Sequence, residues 1–133
     1  DLGTASALVA EVSVQEGRVQ VHRVTVAADP GLVINPDGAR LQVQGSVMMA
    51  LSSALHEELT IQDGRVVESN FDRYRLLPMR DAPPVEVLLV ESGDEPQGMG
   101  EPVMGPAAAA VANAVFTLTG ERLRTLPLRP GGG

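Results

Sequence analysis

From Leu8 to Val14 apolar residues alternate with others, and the alternation resumes from Val19 to Ala28 after Gln15-Glu16-Gly17-Arg18. A period of two marks a strand with one covered face. A glycine-bearing turn between two such runs predicts a hairpin. With Glu16-Gly17 at the tip, Val14 faces Val19 and Val12 faces Val21, while Glu11 faces His22 on the other side. Past Arg23 the apolar positions change phase to Val24 and Val26, which predicts a bulge or a strand passing into a different environment.

Asp29-Pro30-Gly31 ends that run, and Asn35-Pro36-Asp37 is a helix start: a capping side chain, proline at the first position and an acid in the first turn. The helix is expected from Pro36 to about Glu57. Leu41, Met48, Leu51 and Leu55 fall on its core side, and Gly45, Met49 and Ser52 form a second, thin-walled line. Such a line lets a backbone or a flat ligand approach closely, although helix–sheet packing is its ordinary use. Asp63-Gly64 between Glu58–Gln62 and Arg65–Glu68 predicts a second hairpin. Ser69 to Pro84 has no clear period, and so long an irregular stretch usually serves a function or wraps a partner. Val85 to Val90 reads as a buried strand, a last helix ends at about Thr119 before Gly120, and Arg122 to Leu128 reads as a short edge strand.

This order predicts a two-layer α+β sandwich, an antiparallel sheet of about four to five strands covered by two helices. Residues 1–128 would form one domain and 129–133 a disordered tail. With an apolar content of 44% but only Phe71, Phe116 and Tyr74 as aromatics, the core must be built from valine, leucine, methionine and alanine. Its layers must therefore lie close together.

The candidate chemistry lies at Pro96-Gln97-Gly98-Met99-Gly100-Glu101-Pro102. Glycines at 98 and 100 permit positive φ or close backbone approach around Met99. Pro102 suits a first helical turn, so Glu101 falls at or just before a helix N-terminus, where unpaired N–H groups favour an ionised carboxylate. A helix entry with an acid in its preferred place is the plain alternative.

Charge and composition narrow the classes. All ten basic residues are arginine, none clusters, and 17 acidic residues bring the net charge to −7, which disfavours nucleic-acid binding. The absence of cysteine removes disulfides, thiolate catalysis and cysteine metal sites within this chain. His22 and His56 match no metal-ligand spacing. The most apolar run, Ala107 to Leu118, looks too short to span a membrane, and the chain reads as soluble. It opens on Asp1 and is expected to be part of a longer product.

Taken in order, "DPGLVINPDGARLQVQGSVMMALSSAL", "LTIQDGRVVESNFDRYRLLPM" and "PPVEVLLVESGDEPQGMGEPVMGPAAAAVANAVFTLTG" resemble the C-terminal part of the large subunit of the molybdenum hydroxylases. This is the family of xanthine oxidase and aldehyde oxidase, and the likeness is greatest to bacterial isoquinoline 1-oxidoreductase-type enzymes. The resemblance implies oxidation of an N-heterocycle or an aldehyde with water as oxygen source. It also implies a molybdenum–pterin cofactor, molybdopterin cytosine dinucleotide in bacteria. Carried onto this chain, the glutamate of Gly-x-Gly-Glu is Glu101, the general base that deprotonates a Mo–OH. Gly98, Met99, Gly100, Gly45 and Met49 are the implied cofactor-binding residues. The implied partners are the remainder of the molybdenum-binding subunit, an iron–sulfur electron-transfer subunit and a small-molecule substrate. The isolated chain would then be inactive and could bind no cofactor by itself. Xanthine-oxidase-like members carry a glutamine near the position of Met49; Met49-Ala50 here argues for an apolar pocket rather than a purine site. Two other readings stand beside this one. One is a non-catalytic α+β interaction module keeping the family fold, and the other is a self-contained enzyme pairing Glu101 with His56.

Overall fold

The computed structural model describes residues 3–131. Strands β1 (Ala5–Gln15) and β2 (Arg18–Asp29) form the first hairpin, followed by helix α1 (Pro36–Leu55). A two-stranded hairpin of β3 (Ile61–Gln62) and β4 (Arg65–Val66) comes next, then strand β5 (Val85–Leu89) and helix α2 (Met104–Thr119). Short 3₁₀ turns occupy Met79–Asp81 and Glu101–Val103.

The two-layer α+β plan is the one the sequence predicts, but the sheet differs. It has three strands in the order β1-β2-β5, and β5 runs parallel to β2; β3 and β4 pair only with each other. A parallel partner requires a crossover, and α1 lies within the connection from β2 to β5. The helices touch each other and cover one face, α2 along β1 and α1 against β5.

The hairpin keeps the predicted pairs Val14–Val19 and Val12–Val21. The expected bulge is present, but Glu11 pairs with Arg23 rather than His22, because His22 is the extra residue. Its ring instead meets the Ser13 hydroxyl at 2.8 Å. The bulge explains the phase change: it turns Val24, Val26 and Ala28 to the same buried face as Val21.

The Asn35 side chain caps α1 by accepting the Gly38 N–H at 3.0 Å. Its core face is Val43, Val47, Ala50, Leu51 and Ala54. Leu41, placed in the core from its spacing, is instead 68% exposed, and Met48 is only half-buried. Leu51 and several β-branched and small side chains fill the space between α1 and the sheet, joined by Val103 from the second 3₁₀ turn and by Val111 and Val115 from α2.

At the second hairpin tip Asp63 and Gly64 both adopt positive φ, as a primed two-residue turn requires. The segment Arg122 to Leu128 is not an edge strand. Arg122 stacks its guanidinium 3.5 Å over the Phe116 ring and donates to Asn113, and the Leu128 N–H bonds to Ala54 O at 2.8 Å. These ties fold the segment back over the helices. Within the tail expected to be disordered, Arg129 pairs with Glu58 at 2.7 Å, Pro130 is buried, and the Gly131 N–H donates to the Glu121 carboxylate. Residues 132–133 lie outside the described residues. The apolar run judged too short to span a membrane belongs to a continuous helical stretch, Glu101–Thr119, that is long and apolar enough to do so. In this fold its Ala107, Val111 and Val115 side are buried against the core.

Candidate functional site

The stretch 97–103 crosses the N-terminal end of β1 and leans on α1. The Gln97 N–H donates to Pro30 O at 2.8 Å. The Thr4 hydroxyl donates to Gly98 O, the Ser46 hydroxyl to Gly100 O, and the Ser6 hydroxyl to Pro102 O at 3.2 Å. Met99 packs against the core from the partly buried margin, and Val103 is fully buried. Glu101, between them, is exposed as the first residue of the 3₁₀ turn that runs into α2. The predicted helix entry is therefore present. Gly100, however, has φ −73°, so the turn does not use the left-handed freedom that its glycine permits.

The Gly45–Met49–Ser52 line divides. Ser52 is buried and accepts the Leu77 N–H, whereas Met49 is 63% exposed and Gly45 faces outward. A Cβ added at Gly45 would meet nothing within 4 Å, and one at Gly100 would meet only Gln42 Oε1 at 3.7 Å. Packing within this chain thus requires glycine at neither place, and helix–sheet packing does not account for Gly45. The contact between Gly100 and Ser46 puts Gly98, Met99 and Gly100 beside the middle of α1, the part of the helix that carries Gly45 and Met49. Gln42, whose amide abuts Gly100, joins this patch. Nothing in its sequence context singles it out, since a polar residue on a helix is the ordinary case.

His56 is elsewhere. It caps the C-terminal end of α1, and at 1.5 Å per residue it lies about 15 Å along the helix from Ser46. This removes the Glu101–His56 pair. Burial is the main cause that lowers the His56 pKa, with Asp81 opposing and Arg75 assisting. Nearby, the Glu57 carboxylate is held below its usual range by hydroxyls, first Ser52 and then Tyr74, whose OH donates to it at 2.7 Å.

Two open grooves lie away from the Glu101 turn. One, of about 540 Å³, runs between β1 and α2, lined by Leu8, Val12, Ala114 and Leu118 among others. The other, of about 300 Å³, lies beside Phe71 and Tyr74. Among the described residues no group of three or more His, Asp or Glu could hold a metal ion. The patch offers an exposed carboxylate, uncovered backbone and a thioether. That donor set fits a cofactor bringing its own metal ligands, with this chain forming a single wall around it.

Comparison with known proteins identifies the family. Residues 3–83 match the family described as the molybdopterin cofactor-binding domain. Over 124 residues, 92% of this chain, the sequence is 36% identical to a protein of Gluconacetobacter polyoxogenes named a membrane-bound aldehyde dehydrogenase (pyrroloquinoline-quinone). It is 37% identical over 126 residues to the isoquinoline 1-oxidoreductase beta subunit of Brevundimonas diminuta. Among solved structures, the aldehyde oxidoreductase of Desulfovibrio desulfuricans aligns over 96% of this chain with a TM-score of 0.81 and 25% identity. Quinoline 2-oxidoreductase of Pseudomonas putida 86 aligns over 82% with a TM-score of 0.75 and 27% identity. The chain belongs to the molybdopterin cofactor-binding domain family. It spans 16% of the length of each of these two sequence relatives and 15% of each of the two solved chains.

Proposed function

We propose that this chain is part of the molybdenum-binding subunit of a hydroxylase that oxidises an N-heterocycle or an aldehyde with water as oxygen source. The observation that carries the reading is the Glu101 carboxylate, exposed on a turn whose backbone is fastened on both sides, next to a bare stretch of α1. The relatives named above, an aldehyde dehydrogenase and an isoquinoline oxidoreductase, support the substrate classes. When bound, the molybdenum–pterin group, as the cytosine dinucleotide, supplies the two-electron redox chemistry.

The residues of this chain do the rest of the local work. Glu101 is the general base, accepting a proton at an Oε atom from the hydroxyl that becomes the nucleophile. Gly98, Met99 and Gly100 form the edge of the turn beside the cofactor, and Gly45 lets it approach α1. Met49 gives an apolar surface on the same side and helps keep water from the reacting atoms. The other walls come from the remainder of the subunit, and electrons leave through an iron–sulfur partner. The isolated chain is therefore inactive.

Glu101→Gln in the full-length, cofactor-loaded subunit is expected to lower turnover by about 10²–10⁴-fold, the usual contribution of a positioned base. Molybdenum content, measured by elemental analysis, is expected to stay unchanged. Retained turnover at full metal loading would refute the assignment.

A further inference from the structure

Along the Glu101 turn, three alternate carbonyls each accept a hydroxyl from a distant part of the chain: Gly98 from Thr4, Gly100 from Ser46 and Pro102 from Ser6. Ser6 lies at the start of β1, Thr4 immediately before it, and Ser46 in α1. Ser46 is buried, at 8% exposure, and its hydroxyl donates a hydrogen bond to the carbonyl one residue before Glu101. Core packing by Met99 and Val103 holds the same segment from within. Glu101 alone between these anchors turns outward.

We propose that Thr4, Ser6 and Ser46 are positioning residues that fix the direction of the Glu101 carboxylate by clamping the peptide groups on both sides of it. The inference rests on the reading of Glu101 as the base. A carbonyl released from a hydroxyl at this partly exposed turn is readily taken over by water, so losing one clamp costs little global stability. What it costs is orientation. A base must sit within hydrogen-bond reach of the proton it takes, and small misplacements cost rate steeply. Gly100 sharpens the need, because a glycine beside the base leaves its peptide free to rotate unless something else holds it.

The test uses Thr4→Val and Ser46→Ala in the full-length subunit, with Thr4→Ser as the variant that keeps the donor. In the cofactor-free subunit, amide hydrogen exchange of the peptide covering 97–103, read by mass spectrometry, is expected to quicken about tenfold in the first two and stay at the wild-type rate in the third. In the loaded enzyme, kcat per molybdenum is expected to fall about 10–100-fold with KM unchanged, and Thr4→Ser to restore it. Unchanged exchange in both donor-less variants would overturn the clamp. Faster exchange with kcat unchanged would overturn its role in positioning, as would a loss confined to molybdenum content. If the reading of Glu101 itself is wrong, Glu101→Gln retains turnover whatever the clamp variants do, so the two failures are distinguishable.

Discussion

At the scale of single residues, the two ends of α1 serve different purposes. Its middle sets Ser46 against the Glu101 turn, while its C-terminal end carries His56 and joins Glu57 to Ser53 and Tyr74. Burial makes the charged form of His56 unfavourable, so its folded pKa lies below its ordinary value of 6.5. The unfolded chain then binds more protons than the folded one as pH falls through 6.5. The stability contributed by neutral His56 is complete above that value and is lost as pH drops through the lower folded pKa. Glu57, also lowered, acts in a separate and more acidic window, below its ordinary 4.5. Urea denaturation between pH 7.5 and 5 is expected to show stability falling with pH in the wild type and a flatter profile in His56→Gln. An equally steep profile in the variant would assign the effect to other groups.

At the scale of elements, the β1–β2 bulge lets one hairpin keep a single apolar face despite an odd residue. If the register ran on unbroken past Val12–Val21, Val24 would sit opposite exposed Val9 instead of half-buried Ala10. Deleting His22 removes only the surplus residue and leaves every inward side chain inward, so the thermal midpoint is expected to shift by a few degrees at most. Deleting Thr25 is a different matter. The strand must then turn either Val24 or Val26 and Ala28 toward solvent, and cooperative melting by circular dichroism is expected to disappear. This contrast also shows what is legible from sequence. A bulge announces itself locally as a phase change, and Asn35 and Asp63-Gly64 announce a cap and a turn. Parallel pairing of β2 with β5 leaves no local trace, because its partners, such as Val26 and Val87, are set by a crossover. The face of α1 is misplaced at Leu41 because the core face follows Val43, Val47, Ala50 and Ala54, which leaves Leu41 on the far side of the helix and shares only Leu51 with the expected row. Within the candidate site, the Glu101 turn was legible as Gly-Met-Gly-Glu-Pro. The hydroxyls of Thr4, Ser6 and Ser46 were not, since serine and threonine are ordinary residues far from it in sequence.

At the scale of the whole molecule, the helices cover only one face of the sheet. The bulge and the alternation send Ala7, Val9, Ala27 and Leu88 to the other face, where Ala7 pairs with Ala27 and Ala27 with Leu88 in one row. Val9 is 67% exposed and Leu88 52%. An apolar row of this kind on a sheet face ordinarily meets another layer. The chain's small share of its relatives' length is consistent with that layer lying outside it. The two surviving readings now separate. A self-sufficient interaction module should tolerate this face in water as a monomer, whereas a portion of a larger subunit should not. The chain on its own is therefore expected to bind an apolar dye such as ANS and to self-associate at micromolar concentration in analytical ultracentrifugation. Val9→Lys with Leu88→Lys should reduce both effects without lowering helix content, because neither side chain belongs to the buried core. In the full-length subunit the same pair should instead lower the melting midpoint, because two lysines placed under a covering layer lose hydration without gaining partners. A dye-silent monomer, together with an unchanged full-length midpoint, would count against the larger-subunit reading and favour the module.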